Sequence, residues 1–160
     1  MIILRIWNGA IDHFPVRRSE WINTFAMGGW AAIILSDDQG LLGSWAMLGK
    51  LANETVWVTL FAFLALIRFT VLTVNGTFPK SWYGRWAPHA RVATTLLATL
   101  AWFQLFMACV YSWPTTGIIA YGAFFVSDAM NTLSASAEAR ELDKGRRDVA
   151  AIASGASDFK

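Results

Sequence analysis

Arg68 and Asp128 carry the chemistry that stands out in this chain. Each lies within a long apolar run, Arg68 in "FLALIRFTVLTVNG" and Asp128 in "GIIAYGAFFVSDAMNTLS". A guanidinium and a carboxylate in such surroundings have three options. They can pair and clamp two helices together. They can relay protons or ions. The arginine can instead snorkel to a nearby aqueous face. The other reactive side chains are sparse. His13 and His89 fall outside the apolar runs, so axial haem ligation from within a helix is not expected. Cys109 is alone, which excludes a disulfide framework and a CxxC pair. One carboxylate and one thiol make no metal set. No Ser/His/Asp grouping, P-loop or dinucleotide glycine motif occurs. The sequence therefore predicts neither an enzyme nor a bound cofactor.

The elements that must hold Arg68 and Asp128 are apolar and helical. Of 160 residues, 56% are hydrophobic, above the 45–50% or so of ordinary soluble domains. These residues come in blocks, and about 20 apolar residues in a row are enough to cross a bilayer. Four segments meet or approach that length: 19–36, 55–76, 91–113 and 115–134. The prediction is an all-α, polytopic membrane protein with four transmembrane helices in a bundle. Trp21, Trp45, Trp57, Trp82, Trp86 and Trp113 fall at or just beyond span ends, as anchors at the membrane interface do. Gln104, within the third span, is read as an interhelical hydrogen-bonding group. Gly28-Gly29, Ala120, Ala123 and Ser127 are read as small residues that let helices approach.

Charge distribution orients the spans. Arg5, Arg17 and Arg18 precede the first. The second loop carries Lys80, Arg85 and Arg91, and five more basic residues lie in the tail from Arg140. The first loop has Lys50 against Asp37, Asp38 and Glu54. Basic loops stay cytoplasmic, so both termini are expected inside, in a bacterial inner membrane. The second and fourth spans then run the same way. Arg68 lies 13 residues after Thr55, and Asp128 lies 13 after Thr115. At 1.5 Å per residue, both sit about 20 Å below the outer end. Their shared depth predicts an Arg68–Asp128 ion pair as the clamp, with snorkelling and a relay as the alternatives.

Outside the bundle, residues 1–18 read as an amphipathic segment at the membrane surface. Residues 19–134 are the transmembrane domain, and 135–160 a charged cytoplasmic tail. Leu41, Leu42, Trp45, Leu48 and Leu51 suggest a short interfacial helix in the first loop. The fourth helix is expected to extend to about Gly145, with the last dozen residues disordered. The basic, aromatic second loop suits anionic lipid headgroups, and no nucleic-acid partner is expected.

One segment carries a resemblance. Residues 68–104, "RFTVLTVNGTFPKSWYGRWAPHARVATTLLATLAWFQ", resemble small multi-span membrane proteins of tailed bacteriophages through Arg68, Asn75-Gly76, Arg85, Arg91 and Trp102. The resemblance implies a phage-encoded, holin-like protein. Such proteins carry a charged cytoplasmic tail, here Glu138 to Asp148, and assemble in the inner membrane to open lesions that release an endolysin. The chain departs from the class in its length and in having four spans. The expectation is a non-enzymatic, oligomer-prone protein whose partners are the lipid bilayer and either itself or another membrane protein. The alternative is an accessory subunit of a bacterial membrane complex, or an exclusion or genome-entry factor.

Overall fold

The computed structural model describes residues 14, 17–36, 50, 52–77, 86–112 and 115–155. They form four helices: α1 (Arg18–Ser36), α2 (Glu54–Thr77), α3 (Ala87–Ser112) and α4 (Thr115–Gly155). The expected surface segment before Phe14, the first-loop helix, and Trp45, Trp82 and Trp113 lie outside the described residues.

Local chemistry sets the helix starts. Asn53 caps α2, its Oδ1 accepting the Val56 amide at 3.0 Å. Glu54 then sits in the first turn, where a negative charge favours the helix dipole. α3 begins at Ala87, four residues before the expected start, and its first turn is closed by Ala90 N–H donating to the Trp86 carbonyl at 2.9 Å. Pro88 fits there because first-turn amides need no intrahelical acceptor. Arg91 is thereby moved from a loop to the second turn of a helix.

α4 is longer than expected. It passes through Gly145 and continues ten residues further, to Gly155. A helix of 41 residues is about 60 Å long. Glycine costs only about 1 kcal/mol in a helix interior, and side chains bridge the position. Arg146 approaches Asp143 at 3.9 Å, and Arg147 Nε donates to the Asp143 carbonyl at 3.3 Å. The alanine-rich segment beyond, "VAAIASG", favours helix over the predicted disorder.

The helices pack in chain order. α1 lies on α2, α2 on α3 and α3 on α4; a narrower contact between α1 and α4 closes the ring. Contacts fix the directions. Trp21, at the start of α1, meets Phe69 in the second half of α2, and Trp30, further along α1, meets Phe61. α1 and α3 run one way, and α2 and α4 the other. The end where α1 and α3 begin is called proximal below.

The core is aromatic at its centre. Phe61 lies between Trp30 and Trp102, at 5.5 and 5.7 Å between ring centroids. Trp102 stacks on Phe124 at 4.7 Å, and Trp30 Nε1 donates to Tyr121 Oη at 2.7 Å. Trp21 and Trp57 join this interior rather than facing outward as interface anchors. Their position at helix ends does not expose them, because the neighbouring helix overlaps at that level. Of the predicted anchors within the described residues, Trp86 is the exposed one.

Close approach uses only part of the expected set: Gly28 faces α2, where an added Cβ would lie 3.6 Å from Ala65 Cβ, and Ser127 meets Asn23 of α1. Ala120 and Ala123 face outward, and the space beside Gly29 is open. α3 and α4 instead approach at Gly117, where an added Cβ would lie 2.7 Å from Cys109 Sγ.

Large apolar side chains lie on the outer surface as well as in the core, and several charged ones are buried. Phe25 and Ile33 of α1, Phe63 and Leu66 of α2, Leu97 and Leu100 of α3, and Ile119 and Leu133 of α4 point outward. Arg68, Arg91, Asp128, Asn23 and Thr95 are fully buried. Two helical stretches, Glu54–Val74 and Ala87–Tyr111, are long and apolar enough to cross a membrane. α1 and α4 are more polar in composition, but several of their polar side chains point inward: Glu20, Asn23 and Thr24 from α1, and Asp128 and Asn131 from α4.

Candidate functional site

Asp128 is the hub of the interior. Arg68 reaches it from α2 with two parallel bonds, Nη1 to Oδ2 at 2.6 Å and Nη2 to Oδ1 at 2.8 Å. This is the bidentate geometry that suits a guanidinium to a carboxylate. Trp102 Nε1 of α3 donates to Oδ2 at 3.1 Å, and Asn131 Nδ2, one turn along α4, donates to Oδ1 at 3.0 Å. Each oxygen therefore accepts two bonds. α1 joins through Asn131, whose Oδ1 accepts from Ser19 Oγ at 2.7 Å. All four helices are thus tied, directly or through one residue, to a single carboxylate.

The chemistry of the partners limits what this site can do. Guanidinium and indole groups only donate. A proton relay needs groups that accept and release in turn, and neither Arg68 nor Trp102 does so. The arginine does not snorkel, being 1% exposed with its head on Asp128. The arrangement ties α2, α3 and α4 together at one carboxylate.

A second charged layer lies at the proximal end. Arg91 of α3 donates through Nε to Glu20 Oε2 of α1 at 3.1 Å, and its two terminal nitrogens bond Glu20 and Glu138. Arg17 reaches Glu138 of α4 at 3.2 Å. Two cations thus face two anions. Burial, then the nearby Arg91, pull the Arg17 guanidinium below its ordinary value, while Glu138 and Glu20 oppose that shift. At the rim, His89 Nε2 lies 3.3 Å from Asp143 Oδ1.

Hydroxyl and amide pairs add further ties between the helices. Asn23 Nδ2 donates to Ser127 Oγ at 3.1 Å between α1 and α4, and Thr99 and Thr132 meet at 3.3 Å between α3 and α4. An open groove of about 530 Å³ runs along the α1–α4 seam beside Ser19, Ser127 and Asn131. It opens to the outside beside Asn131, one of the partners of Asp128.

No family model, curated protein or solved structure matches the chain.

Sequence reasoning and structure differ most at Gln104 and Arg91. Gln104 lies on the exposed side of α3 and bonds to no other helix among the described residues. It follows Trp102 by two positions, which turns it about 200° from that buried side chain. Arg91, Glu20 and Glu138 were not expected as a site. Counting from helix ends would have found them, since α1 and α3 both begin at the proximal end and Glu138 lies ten residues, about 15 Å, beyond Asp128 along α4. Among the described residues, no group of three or more His, Cys, Asp or Glu could hold a metal ion.

Proposed function

We propose that the protein is a non-enzymatic, four-span inner-membrane bundle that acts by assembling in the bilayer, in the manner of the holin-like phage proteins its segment 68–104 resembles. The placement of apolar and charged side chains carries this reading: apolar side chains lie on the outer faces of α1, α2, α3 and the first part of α4, while Arg68–Asp128 and Arg91–Glu20 are buried in pairs. Large exposed apolar surfaces mark contact with lipid or protein. α1, at 19 residues, is about 28 Å long and matches a hydrocarbon core of about 30 Å. Basic residues gather at the proximal end, so that end faces the cytoplasm. Beyond Glu138, α4 carries a mostly exposed, charged arm about 25 Å long into the same compartment.

The test is induced expression in a bacterium while culture density and membrane potential are followed. The reading predicts abrupt loss of potential at a reproducible time, with cytosolic protein released. Steady growth with an intact potential would contradict lysis. A second reading, an accessory subunit or an exclusion or genome-entry factor, draws on the arm, where Leu142, Val149 and Ile152 are exposed among charges. That reading predicts harmless expression and co-purification with a larger membrane partner.

A further inference from the structure

We infer that the outer face of α3 is the surface on which a second copy of this chain docks, with Gln104 facing Gln104 of the other copy across a two-fold axis. The inference rests on the membrane reading proposed above and names the surface by which the protein assembles.

Gln104 lies within the apolar stretch Ala87–Tyr111, seven residues from its end and so about 10 Å inside it. Its side chain faces outward. A carboxamide carries two donor hydrogens and an acceptor oxygen, and leaving them unpaired in hydrocarbon is costly. A threonine hydroxyl on the outer surface can satisfy itself on its own helix, which the longer Gln104 carboxamide does not do here. Thr70 and Thr73 of α2 bond the carbonyls of Leu66 and Phe69, one turn back, at 2.8 and 2.7 Å. Gln104 makes no such bond among the described residues.

The surrounding surface has the spacing of a helix–helix seam. Ala93, Leu97, Leu100, Gln104, Met107 and Tyr111 recur at intervals of four, three, four, three and four residues. Leu97, Leu100 and Tyr111 are half exposed or more. This is the 3.5-residue period of knobs-into-holes packing, in which one polar position fixes register. Two copies inserted the same way are related by an axis along the membrane normal, so their α3 helices run parallel and each residue meets its own counterpart. A carboxamide is self-complementary in that arrangement: each donates to the other's oxygen.

The test uses cysteine cross-linking of the full chain in native membranes. In a Cys109→Ala background, single cysteines replace Leu100 on the seam or Phe63 on the outer face of α2. Oxidation should give at least about tenfold more dimer from Leu100→Cys than from Phe63→Cys. Adding Gln104→Leu should weaken dimerisation roughly tenfold, while Gln104→Asn retains it. Gln104 lies outside the core, so neither change should disturb the bundle. Equal cross-linking at the two positions, or a dimer unaffected by Gln104→Leu, would overturn the inference. A carbonate wash of the same membranes separates the two levels. Release of the protein would remove the membrane reading and the inference with it. Retention without Leu100 cross-links would remove the inference alone.

Discussion

At the scale of single residues, Asp128 is where the helices meet. Its two oxygens hold four donors from three helices, and its side chain is fully buried. Removing one member of such a pair leaves the other charge buried without compensation. Arg68→Ala or Asp128→Ala should therefore each destabilise the bundle by about 3–5 kcal/mol, whereas Arg68→Met with Asp128→Leu should recover most of that loss. Denaturant titration in detergent, followed by circular dichroism, would measure it. A double variant no better than the singles would argue against a clamp. Trp102→Phe removes one bond to Asp128 and leaves a small cavity where the rest of the indole stood, for a smaller cost of about 2 kcal/mol. The pairing was legible because Arg68 and Asp128 lie equally far along two parallel spans. Arg91 was hidden because the basic loop seemed to include it. The start of α3 at Ala87 makes it a helical residue instead, aimed at Glu20 and Glu138.

Among the elements, α4 is the most informative. The alternation of apolar runs and turns revealed four helices, but not where the last one ends. One glycine was weighed as a stop, and helix formers on both sides outweigh it. A Cβ at Gly145 would meet nothing within 4 Å. Gly145→Ala should therefore stabilise the arm by about 1 kcal/mol, seen as slower hydrogen exchange from Asp143 to Val149. Gly117→Ala should act in the opposite sense. Its new methyl would press on Cys109 Sγ between α3 and α4, at a cost of about 1–3 kcal/mol. Adding Cys109→Ala should relieve part of it. Equal thermal stability of Gly117→Ala and the parent would contradict this close approach. Which way each helix turns was less legible. Trp21, Trp57, Ala123 and Gln104 were each placed at the right level along a helix. Their direction around it depends on the neighbour, and position along the chain does not encode that.

For the whole molecule, composition pointed to four spans, yet α2 and α3 carry most of the apolar signal. α1 and α4 are diluted by side chains that turn inward to form the polar layers. The same residues that weaken their membrane signal hold the bundle together. The proposed reading has four spans, apolar outside and held by charge inside, with the starts of α1 and α3 and the far end of α4 on one side. The most direct test is labelling with a membrane-impermeant thiol reagent on intact cells. Single cysteines replace Asn53, Thr116, His89 or Ser154 in the Cys109→Ala background. Asn53→Cys and Thr116→Cys should react in intact cells, and His89→Cys and Ser154→Cys only after the membrane is opened. Reaction of all four from one side, or of His89→Cys and Ser154→Cys from opposite sides, would contradict it.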